Sequence, residues 1–195
     1  MALEIDYSSG IFKAAPSGQT VGTDPATIGD PNFANVSLLL HMDGSNGSTT
    51  FTDSSSNGLT VTANGDAQIS TAQSKFGGSS AYFDGTGDRL ELASLADLSG
   101  GPWTIEGWYY FTTDPNSSTH LLWSLNDENT LGYAQLQTLS GTTTLRLQQR
   151  GGSYLSDGTF DFNTNTWYHI ATVWDGTNQK VYADRRADLS SRKKV

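Results

Sequence analysis

The sequence predicts an all-β protein, an antiparallel sandwich of short strands preceded by an extended N-terminal arm. Three observations carry this. Gly, Ser and Thr are abundant, with 21 Gly in all, and Leu- and Ala-rich helical stretches are missing. Apolar residues fall into short runs, several of them alternating. Turn-forming pairs such as Asn57-Gly58, Asp84-Gly85 and Asp175-Gly176 separate the runs, with no helical period between them.

Taken in order, residues 1–35 come first. Gly, Pro and Asp alternate over 18–32, which disfavours helix interiors and central strands. The apolar anchors there are Ile5, Tyr7, Ile11, Phe12, Ile28 and Phe33. Such an arm cannot bury itself and is expected to gain order by lying on another surface.

From Val36 the texture becomes that of strands. The apolar run 37–42, closed by Asp43-Gly44, reads as a strand covered on both sides. Residues 59–63 alternate between Asn57-Gly58 and Asn64-Gly65, and further strands are predicted over 81–83, 89–92, 103–111, 120–125, 133–139, 143–149, 166–174 and 179–184. Gly100-Gly101-Pro102, Asp114-Pro115, Gly151-Gly152 and Asp157-Gly158 read as turns between them. Two strands carry the core. Over 103–111 one face presents Trp103, Ile105, Tyr109 and Phe111, and the other presents Trp108 and Tyr110; residues 167–174 are apolar on both faces. Each aromatic buries about 150–250 Å², so aromatics on both faces imply a central strand with a layer, loop or partner on each side.

Composition excludes several functions. A chain of 195 residues fits one domain with an appendage and can bury a substantial core. With no cysteine it has neither disulfides nor thiolate metal sites. A net charge of -9 argues against nucleic acid, whose phosphates require clustered Lys and Arg. Residues 1–179 carry five basic against 18 acidic groups, whereas the last sixteen carry six against two. That basic end either docks on an acidic partner or is a solvated terminus. No apolar run approaches the roughly 18 residues that span a bilayer, so no membrane insertion is expected. Residues 1–7 lack the basic and apolar regions of a signal peptide, so export by lysis or within a particle is the expectation.

Several stretches together resemble a known family. They are residues 38–44 (LLLHMDG), 51–58 (FTDSSSNG), 76–88 (FGGSSAYFDGTGD), 103–108 (WTIEGW) and 167–171 (WYHIA). In this order they are similar to the laminin-G-like branch of the concanavalin-A-like lectin/glucanase superfamily, over about residues 36–183. The resemblance implies a jelly-roll sandwich over 36–184, behind an attachment arm (1–35) and before a basic tail (185–195). The Ser/Thr/Gly-rich wording looks like that of bacteriophage tail-fibre or head-surface proteins. This implies a virion structural or capsid-decoration protein, partnered by other virion proteins and by copies of itself, that touches host surface carbohydrate. A free carbohydrate-binding lectin is the alternative, and a glycan hydrolase a third. In the family further strands follow the one at 179–184, the last beside the strand matching 37–42. Residues 185–195 lack strand alternation, so the arm or a neighbouring chain is expected to complete the sheet.

Glucanases of this superfamily use a Glu-x-Asp-x-Glu strand that sets two carboxylates on one face. Glu4, Glu91, Glu106 and Glu128 are the only glutamates and none lies in such a motif, so no enzymatic activity is expected. His41, His120 and His169 lie in separate strands and read as packing residues. Calcium is the one metal the resemblance implies. Candidate ligands are Asp84 and Asp88 in one turn, and Asp127 with Glu128 in another; the alternative is turn formers bonded to their own backbone. For glycans, Tyr133, Gln135, Gln148 and Tyr154 combine aromatic and amide groups on strands; the alternative is a solvent-facing polar surface.

Overall fold

In a computed structural model, alternating, β-branched and aromatic residues place thirteen short strands among the described residues, each ladder between them antiparallel. The structure describes residues 4–6, 11–13, 32–92, 101–115, 117, 120–124, 135–138, 144–148, 154–160 and 162–184. The only helical piece among them is a 3-10 turn, Phe33–Asn35. No helix among the described residues is long and apolar enough to cross a membrane. The chain forms two compact units, Met1–Ala96 and Asp97–Val195.

In the first unit, β1 (Glu4–Asp6) and β2 (Ile11–Lys13) pair with each other in the register Glu4↔Lys13, so this part of the arm is a hairpin. β3 (Val61–Asn64) pairs with β6 (Arg89–Leu92), and β4 (Gln68–Ser70) with β5 (Ser80–Tyr82). Ile69, fully buried, is the pivot of this unit, together with Ala67 and Phe51. Gly44 lies against it, close enough that a Cβ there would touch Ile69 Cγ1 at 3.4 Å.

The run 37–42 does not form the expected strand. Only Leu40 makes a bridge, to Asp53, and Met42 turns into the left-handed region at φ 58°. A carboxylate replaces the ladder. Asp53 Oδ1 accepts the N–H groups of Leu39 (3.0 Å) and Ser55 (2.8 Å). Its Oδ2 accepts the Leu59 N–H (2.8 Å) and the Ser55 hydroxyl (2.8 Å). Desolvation raises the Asp53 pKa, but the N–H groups of Leu39, Leu59 and Ser55 and the Ser55 hydroxyl outweigh it. They hold this carboxyl well below the usual carboxylate range.

The second unit is a sandwich of two sheets. One, in the order β13-β12-β7, joins Trp103–Tyr110 (β7), Trp167–Trp174 (β12) and Gln179–Ala183 (β13). The other, in the order β11-β10-β9-β8, joins His120–Ser124 (β8), Gln135–Thr138 (β9), Thr144–Gln148 (β10) and Tyr154–Thr159 (β11). Between them lie Leu145, Leu147, Phe162, Tyr168, Ile170, Val181 and Ala183, flanked by Trp103, Tyr109 and Phe111 as the alternation predicts. Burying each such side chain contributes roughly 1.5–3 kcal/mol. A bulge between Leu121 and Trp123 lets two successive residues, Leu122 and Trp123, pack inward while Leu121 stays exposed. Burial pushes the Tyr109 hydroxyl up to about 12.

One predicted turn is corrected. Asp157-Gly158 lies inside β11, where Asp157 pairs with Arg146 and Gly158 with Leu145. Asp-Gly is a turn signal only where the chain must reverse, and here β10 supplies a partner straight through it. Asp175-Gly176 does turn: Asp175 Oδ1 accepts the Thr177 (2.9 Å) and Asn178 (2.7 Å) N–H groups, and Gly176 takes φ 92°.

Candidate functional site

The ladder between β7 and β12 sorts their side chains. Tyr109, Gly107 and Ile105 stand opposite Tyr168, Ile170 and Thr172 on the core side. The other parity, Glu106, Trp108 and Tyr110 opposite Ala171, His169 and Trp167, forms the outer face, which Tyr182 and Lys180 of β13 continue. Gly107 matters on the core side: a Cβ there would press to 3.3 Å from the Tyr109 ring.

On the outer face the rings pair across the strands. Trp108 and His169 have centroids 5.2 Å apart, and Tyr110 and Trp167 also 5.2 Å, both pairs tilted. Trp108 remains 40% exposed, unusual for so large an apolar side chain. Polar groups interleave with the rings. His169 Nε2 lies 3.3 Å from Glu106 Oε2, and the Tyr110 hydroxyl donates to Asn165 Oδ1 at 3.3 Å. Ala171, small and buried, stands between Glu106 and Tyr182 in the cross-strand row.

His169 is held by its backbone. Its N–H donates to Asp184 Oδ1 (3.0 Å), and its carbonyl accepts the Asp184 N–H (2.8 Å). Asp184 takes φ 52° to make both bonds, one step beyond the end of β13. The other end of the face is tied by Asn165, whose N–H donates to the Phe111 carbonyl at 2.8 Å.

The structure joins Asp84 and Asp88 in one turn, as backbone acceptors. Asp88 Oδ1 takes the Asp66 N–H (2.6 Å), its Oδ2 takes the Asp84 N–H (2.7 Å), and Asp84 Oδ1 takes the Thr86 N–H (2.6 Å). Those hydrogens point at the oxygens a calcium ion would need, and the ion takes six to eight oxygen ligands. These bonds give both carboxylates the role of turn formers. No group of three or more metal-ligating carboxylates or imidazoles occurs among the described residues.

The remaining candidates are placed unevenly. Asp127, Glu128, Tyr133 and Tyr7 lie outside the described residues. Gln135, Gln148 and Tyr154 form one cross-strand row, Gln148 pairing with Gln135 on one side and Tyr154 on the other. Ile5, Ile11 and Phe12 lie in the β1–β2 hairpin, with Ile5 opposite Phe12. For these six the structure describes the backbone alone.

Sequence reasoning separated Trp108 and Tyr110 from the core face but passed over Glu106, Trp167, His169 and Tyr182. The register would have found them. Once β7 and β12 are paired, the even positions of one strand face the odd positions of the other.

These features define a β-sandwich domain with an aromatic, half-polar outer sheet face. The chain belongs to the concanavalin A-like lectin/glucanases superfamily, whose family model matches residues 84–192, more than half of its length. No curated protein and no solved structure matches it.

Proposed function

We propose that this chain is a non-enzymatic carbohydrate-binding module displayed on a virus particle. The observation that carries the binding reading is the outer face of the β13-β12-β7 sheet. There Trp108 and Trp167 offer flat rings, and Glu106, His169 and Asn165 offer acceptors and donors beside them. Ligand sites commonly combine aromatic lining with a few placed polar groups. Membership of a superfamily of lectins and glucanases supports the same reading.

Binding without hydrolysis is supported by the neighbours of Glu106. Its same-face neighbours on β7 are Thr104 and Trp108, and Ala171 stands opposite. The second carboxylate of a retaining glycosidase, about 5–5.5 Å away, has no place in that row. The virion setting rests only on the resemblance of the Ser/Thr/Gly-rich wording to that of phage surface proteins, with the arm as attachment to other virion proteins or a second copy.

A glycan array probed with the full chain tests the binding reading; retention of no glycan would refute it. Mass spectrometry of purified particles tests the setting, which fails if the chain is absent from them. Deleting residues 1–35 should leave a folded protein that no longer assembles, and light scattering showing unchanged assembly would refute the role of the arm.

A further inference from the structure

We infer that the outer face of the β13-β12-β7 sheet takes an uncharged pyranose chain, laid across Trp108 and Trp167, in preference to uronate and sulfated glycans. The inference rests on the binding reading above and adds the charge class of the ligand and the residues that select it.

The shape comes first. The Trp108–His169 and Tyr110–Trp167 pairs occupy successive same-face positions of one antiparallel ladder. Two residues along a strand span about 6.6 Å, so the pairs form two adjoining platforms. A pyranose ring presents a face of C–H bonds to an aromatic ring and its hydroxyls to the sides. Successive sugars of an extended oligosaccharide can therefore rest on successive platforms, with hydroxyls reaching Glu106, His169 and Asn165. This face alternates rings with hydrogen-bonding groups.

Charge decides the class. Glu106 stands beside the first platform with its side chain 59% exposed. Among the described residues the lysine of this face is Lys180, and its Nζ lies 3.6 Å from the Asp175 carboxylate. Residues 1–179 are strongly acidic as a whole. A uronate or sulfate would meet the exposed Glu106 carboxylate, which His169 Nε2 approaches to 3.3 Å, and a lysine already beside Asp175. A neutral sugar meets only an acceptor for its hydroxyls.

Tryptophan fluorescence titrations of the full chain test this. The probes are neutral tetrasaccharides of glucose, mannose and galactose, and tetrasaccharides of galacturonate and mannuronate. At least one neutral probe should bind, with an affinity little changed by salt, and the uronates several-fold more weakly. Trp108→Ala should weaken that binding at least tenfold, and Trp108→Phe, which keeps a ring, by less. Circular dichroism melts would show whether each variant is folded. Glu106→Gln should raise uronate affinity about fivefold, the size of a like-charge repulsion across a few ångströms of water. Uronate binding equal to or tighter than neutral binding would overturn the charge class and leave carbohydrate binding standing. Neutral binding indifferent to both Trp108 variants would overturn the location. Binding of no probe would overturn the inference, and an array that also retains no glycan would take the binding reading with it.

Discussion

Tyr168 tests the sandwich core most directly, because one side chain makes two separable contributions there. It is 4% exposed, with its ring edge-on to Phe162 at 5.0 Å and to Phe160 at 5.5 Å. Its hydroxyl accepts the Asn163 N–H at 2.7 Å. Tyr168→Phe removes only the acceptor. Asn163 is exposed, so water replaces it and the cost is about 0.5–1.5 kcal/mol. Tyr168→Ala also removes the ring, and aromatic-to-alanine changes in cores cost about 3–5 kcal/mol. At roughly 2–4 °C per kcal/mol for a chain of this size, the first variant should melt about 1–6 °C lower and the second about 6–20 °C lower. Thermal melts followed by near-UV circular dichroism, backed by urea titration, would measure both. Equal losses for the two variants would refute the claim that ring packing dominates. A Tyr168→Ala protein as stable as the parent would refute the assignment of this cluster as core.

Asp53 should make stability acid-sensitive. Its carboxyl is depressed in the folded chain, so its contribution is complete above its ordinary value of 3.8 and disappears as pH falls towards the folded value. Asp53→Asn should therefore melt lower than the parent at pH 7 and converge with it towards about pH 2; a gap that stays constant would refute the hydrogen-bonding account. Gly65 takes φ 68°, and a Cβ there would meet the Asp88 carboxylate, so Gly65→Ala should destabilise by about 1–3 kcal/mol in chemical denaturation. An unaffected midpoint would show that the turn yields easily. EDTA followed by millimolar Ca²⁺ should leave the melting temperature within about 1 °C, whereas a bound ion at a hundredfold excess over its Kd would add about 2.7 kcal/mol. A rise that Asp88→Asn abolishes would overturn the reading of that carboxylate as a turn former.

The sandwich was legible because its core strands obey a period of two. Trp103, Ile105, Tyr109 and Phe111 fall on one side by counting alone; Trp103, Tyr109 and Phe111 pack against the core, and Ile105 stands opposite the buried Thr172. Asp175-Gly176 was legible because its side chain closes its own turn. Elsewhere a single residue type had two uses. Asp157-Gly158 sits within a paired strand, which only the partner β10 determines. The apolar run 37–42 looked like a strand, but the Asp53 side chain takes the Leu39 N–H that a neighbouring strand would have taken. Asp84 and Asp88 carry the composition of an ion site and the hydrogen bonds of a turn. The aromatic face required the β7–β12 register, a long-range property joining residues about sixty positions apart that no local pattern contains.

The Asp53 hub has a consequence for how this part of the molecule can change over time. Where a ladder holds a segment, the alternation of many side chains fixes its register, and each of them constrains what can replace it. Here the alignment of the segments around Leu39 and Leu59 depends on backbone N–H groups converging on one carboxylate. Backbone donors are present whatever the side chain. Positions 39 and 59, which contribute only backbone donors to the hub, are therefore freer to change, provided that residue 53 keeps its two oxygens. Related chains should vary more there than at residue 53, a pattern opposite to that of the sandwich strands, where the constraint is spread over every inward-facing position.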